Sequence, residues 1–205
     1  WVLNKSASWQ LPGFTQSSNH PVSCVSWRDA KKFCEWLSKK EGRTYRLPFD
    51  EEWTAAAKTG TRYLWGDTFP PPNHSGNYWD LNAVKNLPGR WEKSIFGGHP
   101  YDDGAERTAR VGSYAANKNG FFDLGGNLWE WCEDAYRATL NTPAVLAENP
   151  ILKEETAADG TPHRVLRGAA WDNLDETSLR PEFRDMDEPD RRDDDYGFRL
   201  VLDLN

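Results

Sequence analysis

The sequence predicts an α+β domain with two main helices, a few short strands and a high loop content. Two segments between positions 26 and 58 show helical periodicity, and three short runs in the second half are typical of strands. Thirteen prolines and 16 glycines indicate turns and irregular loops elsewhere. The 205 residues fit one domain over positions 1–205.

The first helix is predicted to begin at Ser26. The run Ser26–Asp29 has the form of a capping box, with Asp in place of the usual Glu. Apolar residues then recur at helical spacing, and Lys39, Lys40 and Gly42 mark the end of the helix.

The second helix is predicted over Asp50–Lys58, because Asp50, Glu51 and Glu52 suit the positive end of the helix dipole and Gly60 ends it. Short strands are expected at Asn127–Trp131, Arg164–Arg167 and Gly197–Asp203. Positions 61–116 show no regular period, and a loop of that length is usually functional or held by ions. Residues 138–163 are expected to form a solvent-exposed excursion.

Composition argues against several classes of function. The net charge is −7 without clustered Lys and Arg, so no nucleic-acid face is expected. No run approaches 18 apolar residues, so no membrane insertion is expected. The four histidines are scattered, which disfavours a zinc or iron site. Of the three cysteines, Cys34 and Cys132 are predicted to be buried thiols.

The stretch Gly120–Asp134 is the most informative part of the chain. It places Asp123 and Glu130 on either side of a Gly-Gly-Asn turn flanked by aromatic residues. Carboxylates and turn carbonyls are the ligands of a hard cation, which predicts a calcium site. The alternative is that Asp123 caps the turn and Glu130 is a surface carboxylate.

Eight segments in this order and spacing resemble the formylglycine-generating enzyme (sulfatase-modifying factor) family. They are Pro21–Ala30, Tyr45–Pro48 with Glu52–Trp53, Leu64–Asp67, Val111–Tyr114, Asn119–Gly120, Gly125–Trp131, Arg164–Gly168 and Gly197–Arg199. The resemblance implies a modified C-type-lectin fold with a small twisted antiparallel sheet. The part before Pro21 is short for the family. The resemblance therefore implies that an N-terminal strand is missing from this sequence or has been cleaved off.

Enzymes of that family are expected to hold copper(I) with two cysteines in the segment before the final Gly-Phe-Arg. Copper(I) is soft and prefers thiolate ligands. The matching segment here, Arg167–Arg180, contains no cysteine, and Asn173 and Ser178 lie near the copper positions. We therefore expect no formylglycine formation and no copper.

The resemblance also implies two calcium sites. Carried over to this sequence, the first has Asp123 and Glu130 as side-chain ligands and Gly126 and Leu128 as carbonyl ligands. The second has Asn77 and Asp103 as side-chain ligands and Tyr78 and Ala105 as carbonyl ligands. An ordinary turn at 102–104 is the alternative for the second site.

A ligand-facing surface is hypothesised around the segment 171–196. Its members are Trp171, Asp172, Asn173, Asp175, Thr177, Arg184 and Tyr196, with Trp65, Trp79 and Trp91 as candidates for its rim. The alternative is a solvated loop in which Arg180, Arg184 and Arg199 are buried and hold the fold.

The hypothesis is thus a calcium-stabilised, non-catalytic module that binds a peptide, protein or small molecule. Such domains occur as modules of larger proteins, including bacterial kinases, and calcium favours a periplasmic or extracellular location. Two alternatives stay open: an oxidase of another substrate, of the siderophore-maturation type, and the variable protein of a diversity-generating retroelement.

Overall fold

The computed structural model describes residues 6–89, 93–137 and 160–204. Its elements, in chain order, are α1 (Trp27–Glu41), β1 (Tyr45–Arg46), α2 (Asp50–Ala57), α3 (Leu81–Asn86), β2 (Trp129–Ala135), β3 (Arg164–Arg167), a 3-10 helix (Glu176–Leu179), β4 (Asp185–Asp187), β5 (Tyr196–Gly197) and β6 (Val201–Leu202). The α+β class is confirmed, and loops make up most of the described chain.

Helix α1 begins and ends as predicted. The Ser26 hydroxyl accepts from the Asp29 amide at 3.1 Å, and the Asp29 carboxylate accepts from the Ser26 amide at 3.1 Å. Gly42 closes the helix with φ +68°, a conformation that glycine adopts without strain. The helix buries Ala30 and Cys34, and all three cysteines are buried and free.

Helix α2 matches the prediction to within one residue, whereas α3 was not predicted. The Glu52 carboxylate reaches back to the Phe49 amide at 2.8 Å, and Trp53 and Ala57 pack into the core. α3 has six residues inside the long loop, capped by Asp80 through the Ala83 amide at 2.8 Å. Six residues are too few to show a helical period.

The main sheet has four strands in the order β4-β3-β2-β5. β3 lies antiparallel to β2 and β4, but β5 runs parallel to β2, with Trp129 opposite Tyr196. The expectation of a purely antiparallel sheet is therefore wrong at this edge, because the chain crosses back before it enters β5. β1 and β6 form a separate antiparallel pair.

The predicted strand Arg164–Arg167 has the expected bounds, whereas the other two are shifted. The first begins at Trp129 rather than Asn127 and runs to Ala135, and the last divides into β5 and β6. Large rings fill the core, since Trp53, Trp79, Trp131 and Trp171 are all at most 1% exposed. Most of the predicted excursion, residues 138–159, lies outside the described residues. Among the described helices none has the length and apolar content needed to cross a bilayer.

Candidate functional site

The turn between Gly120 and β2 is held in a conformation that few residues adopt. Asp123 and Asn127 have φ of +54° and +67°, and a Cβ on Gly126 would lie 2.2 Å from the Asn77 carbonyl oxygen. The Asn127 side-chain oxygen accepts from the Ala109 amide at 2.9 Å. The turn is thereby joined to two segments of the long loop.

Glu130 lies at the start of β2 and is bound by groups of the protein itself. Its carboxylate accepts two hydrogen bonds from the Arg199 guanidinium, at 2.5 and 2.6 Å, and one from the Trp53 indole at 2.7 Å. The same guanidinium donates to the Phe122 carbonyl at 3.1 Å. An internal cation thus already balances the charge of Glu130.

Asp123 keeps one oxygen without a partner. Its Oδ2 accepts from the Gly112 amide at 2.7 Å, while Oδ1 is buried and accepts no hydrogen bond. Burial raises the pKa of this carboxyl. Asp123, Leu128 and Glu130 line one groove, whereas Gly126 lies outside it and its amide donates to Gly168. The structure therefore brings three of the four residues of the first predicted calcium site to one groove.

The residues of the second predicted calcium site also meet. The Asp103 carboxylate accepts from the Tyr78 amide at 2.8 Å and from the Ala105 amide at 2.9 Å. The Asn77 side-chain nitrogen donates to the Arg107 carbonyl at 2.6 Å. Segments 77–78 and 103–105 are therefore held together by one carboxylate.

The second site holds two buried carboxyl groups without a compensating cation among the described residues. Asp103 is 9% exposed, and the fully buried Asp80 accepts from the Asp103 amide at 2.9 Å. Within the described ranges no ion pair reaches either carboxylate. Burial, and then the charge of Asp80, raise the pKa of Asp103 to about 8. Buried carboxylates are usually paired or bound to metal, so this donor set fits a hard cation.

The hypothesised ligand-facing surface needs correction at four positions. Trp171 is 1% exposed and packs on Trp79 with ring centroids 6.0 Å apart, and Asp172 is also buried. Arg184 donates to Asp50 at 2.7 Å, and the Tyr196 hydroxyl donates to Asp187 at 2.8 Å. These side chains stabilise the fold from inside and do not form one exposed patch.

Asn173, Asp175 and Thr177 lie on one exposed turn. The Asn173 side-chain oxygen accepts from the Ala170 amide at 2.5 Å, and the Asp175 carboxylate caps the 3-10 helix through the Thr177 amide at 2.9 Å. Leu174 between them is exposed. Residues 173–177 are therefore the part of the hypothesised surface that a ligand can reach.

The candidate rim residues differ in position. Trp65 is half-buried and stacks on Tyr63 at 4.6 Å, whereas Trp79 belongs to the core. Trp91 lies outside the described residues.

Sequence reasoning missed the most deeply buried ionic cluster. Arg167 in β3 is 1% exposed and donates to Asp50 and to the Thr54 hydroxyl, and Arg184 bonds the second oxygen of Asp50. The Arg167 guanidinium also lies 4.5 Å from the Trp53 ring centroid. The available signal was an arginine directly after the apolar pair of a short strand.

A carboxylate triplet at Asp193, Asp194 and Asp195 places three oxygens within 4.8 Å of one another. Arg191 pairs with Asp193 at 2.8 Å, and Arg107 pairs with Asp194 at 2.7 Å. Internal cations thus pair with Asp193 and with Asp194, which is typical of a structural network.

Comparison with known proteins agrees with this fold. A family model described as sulfatase-modifying factor enzyme 1-like domain matches residues 3–204. The chain is 32% identical over 215 residues to the formylglycine-generating enzyme of Streptomyces coelicolor, with 100% of this chain and 61% of that protein aligned. It is 30% identical over 214 residues to the inactive C-alpha-formylglycine-generating enzyme 2 of Bos taurus, with 98% and 58% aligned.

A solved structure shows the same fold. PvdO from Pseudomonas aeruginosa superposes with a TM-score of 0.69 at 23% identity, over 94% of this chain and 66% of that one. This chain spans about three fifths of the length of the curated relatives it matches. The family match covers nearly every residue, and the chain therefore belongs to the sulfatase-modifying factor enzyme 1-like family, the family of the formylglycine-generating enzymes.

Proposed function

We propose that this chain is a non-catalytic binding module on a calcium-stabilised scaffold of the formylglycine-generating enzyme type. The observation that carries the proposal is the chemistry at Asn173 and Ser178, where the resemblance places the copper-binding cysteines. Neither side chain supplies sulfur. Both are engaged locally, since Asn173 accepts from the Ala170 amide and the Ser178 hydroxyl donates to the Asp175 carbonyl at 2.6 Å.

The three cysteines of the chain do not replace that pair. Burial raises the pKa of the Cys24 and Cys34 thiols to about 11 each, and raises that of Cys132 well above its usual range. A buried, protonated thiol is a poor ligand for copper(I), which binds the thiolate. One relative in the family is itself named an inactive formylglycine-generating enzyme. That name supports the proposal that a member of this family can lack the activity.

Turnover with a cysteine substrate tests the non-catalytic part. The protein is supplied with copper(I), oxygen and a cysteine-containing sulfatase peptide, and oxygen uptake and peptide aldehyde are measured. We expect neither to exceed the copper-only blank. Aldehyde formed in proportion to protein concentration would contradict the proposal.

Calcium is proposed at both sites, and the structure supports the second more strongly. There Asp103 and Asn77 by side chain, and Tyr78 and Ala105 by carbonyl, would hold the ion, and neither Asp103 nor the buried Asp80 beside it has an ion-pair partner within the described residues. At the first site Arg199 already balances Glu130, and the unpartnered Oδ1 of Asp123 favours a bound cation. Calcium would supply the missing positive charge and cross-link the loops.

Chelation tests the calcium part with variants that separate the two sites. Removing calcium should lower the melting temperature of the wild type, because a ligand of the native state stabilises it. Asp103→Asn should lose most of this response and Asp123→Asn a smaller part. The matched control is Asp102→Asn, at the exposed neighbour, which should respond as the wild type does. Isothermal titration with calcium alone gives a second measure, and absence of binding to the wild type would refute the calcium sites.

For the ligand, we propose binding at the exposed turn 173–177. The apolar Leu174, the acidic Asp175 and the hydroxyl-bearing Thr177 are exposed there, with one oxygen of Asp175 engaged in the cap of the 3-10 helix, while the neighbouring Trp171 and Asn173 are fixed by internal contacts. A rigid turn that presents a few free side chains suits recognition of a peptide, protein or small molecule.

A further inference from the structure

The outer face of helix α1 carries basic and aromatic side chains, although the protein has a net charge of −7. Phe33 and Trp36 lie one turn apart on the helix and are 41% and 52% exposed. Lys32, Lys39 and Lys40 are exposed beside them. We refer to these five residues as the α1 patch.

The lysines of the α1 patch have no ionic partners within the described part of the chain. No ion pair reaches Lys32, Lys39 or Lys40, whereas Lys31 on the inner flank of the same helix pairs with Glu133 at 2.7 Å. The Lys40 ammonium lies 4.7 Å from the Trp36 ring centroid. The patch therefore offers three positive charges next to an aromatic surface.

The aromatic surface continues from the α1 patch into a groove. The Phe33 ring lies 5.5 Å from that of Trp36 and 5.6 Å from that of Phe198. Phe198 also lines a groove of about 500 Å³ whose other walls include the exposed side chains of Phe121 and Phe122. An exposed apolar surface of this extent, bordered by charge, is typical of an interaction site.

We propose that the α1 patch and this groove bind an acidic protein segment that carries an aromatic or aliphatic anchor residue. The groove takes the anchor, because concave apolar pockets accept the side chains that dominate binding energy. The three lysines meet the flanking carboxylates and set orientation and association rate. Among the acids of α1, Asp29 is paired with Arg192 at 2.7 Å, whereas Glu35 and Glu41 keep their charge on the same helix and are the internal competitors for the lysines.

A basic and aromatic helix face also suits the surface of an anionic membrane. One feature favours a protein segment. The apolar surface ends in a concave groove, which holds a side chain better than it contacts a flat bilayer. Binding here is separate from the turn 173–177, but the groove shares Asp123, Leu128 and Glu130 with the first proposed calcium site, and the lysine variants below leave these three residues unchanged.

The experiment selects peptides by display. A random 12-residue library is panned on the wild-type protein and counter-selected on Lys32→Glu/Lys39→Glu/Lys40→Glu. A matched control makes the same charge change at exposed lysines elsewhere, Lys58→Glu/Lys85→Glu/Lys93→Glu. Calcium is kept constant, because Asp123 lines the same groove. Circular dichroism confirms that each variant is folded, and Trp36→Ser probes the aromatic part by itself.

We expect the enriched peptides to combine acidic residues with an aromatic or aliphatic residue. They should bind the wild type and the control variant equally, and the α1 variant at least about tenfold more weakly, with affinity that falls as salt rises. Selection of no discriminating peptide, or of peptides without acids, would overturn the proposal. The proposal would also be overturned if the wild type, but not the α1 variant, bound phosphatidylserine vesicles, because the occupant would then be a membrane. The same holds if the wild type, but not the α1 variant, formed a dimer, because the occupant would then be a second copy.

Discussion

Replacing Asp50 with asparagine should be among the most destabilising single changes in the protein. Asp50 lies at the start of α2, where its two oxygens bond the guanidinium groups of Arg167 and Arg184. The side chains of Arg167 and Arg184 are 1% and 13% exposed. Asn keeps the shape of the residue but removes the charge, and its NH2 group cannot accept from a guanidinium.

The expected cost follows from that geometry. Removing one partner of a buried ion pair leaves an uncompensated charge and costs about 3–5 kcal/mol. For a chain of this size each kcal/mol corresponds to about 2–4 °C in melting temperature, so Asp50→Asn should melt about 10 °C lower. Arg167 keeps the Thr54 hydroxyl and the Pro181 carbonyl as acceptors, which limits the loss.

The assay is urea unfolding at pH 7 followed by tryptophan fluorescence. Glu52→Gln is the control, because Glu52 lies two residues further along α2 and pairs with Arg46 in a more exposed position, with its side chain 40% exposed. That change should cost at most about 1 kcal/mol. If the two variants were equally stable, the Asp50 cluster would not hold α2 on the sheet as described.

Three further outcomes can be checked by the same unfolding measurement. Burial raises the pKa of Asp103 to about 8 in the folded protein from an ordinary 3.8, so the folded state binds a proton that the unfolded state releases. Calcium-free protein should therefore lose stability as pH rises from about 4 to about 8. Saturating calcium should reduce this loss, and a flat stability profile without calcium would contradict the prediction. Gly126→Ala should cost about 3 kcal/mol, because its Cβ would meet the Asn77 carbonyl at 2.2 Å with φ +78°, whereas Gly104→Ala, with φ +82° and open space, should cost about 1 kcal/mol. Ser26→Ala should cost about 1 kcal/mol through loss of the α1 cap, and no change in stability would show that the cap is dispensable.

Local sequence signals predicted the two main helices, α1 and α2, well. Ser26 and Gly42 each determine a backbone conformation within a few residues, so the ends of α1 could be located without knowledge of the fold. The same holds for the start of α2 at Asp50. By contrast, the parallel pairing of β5 with β2 depends on how the chain returns after residue 187, which no local pattern encodes.

The candidate site was predicted in part. The resemblance grouped Asp103 with Tyr78 and Ala105, and the structure brings the three together, since the Asp103 carboxylate accepts from both of the other backbone amides; calcium there stays a prediction. The alternative that Arg184 is buried and holds the fold agrees with the structure, but its partner Asp50 and the burial of Trp171 could not be anticipated, because both depend on elements distant in sequence. The neutralisation of Glu130 by Arg199 is of the same kind, since 69 positions separate the two residues.

The most direct test of the central claim is copper(I) binding itself. Purified protein in calcium-containing buffer competes for copper(I) against a chromophoric chelator under anaerobic conditions. The account predicts that the chelator keeps the metal, because Asn173 and Ser178 offer no thiolate and the three thiols are buried. One equivalent of copper(I) taken up by the protein, and released by a change at the 173–178 turn, would contradict it.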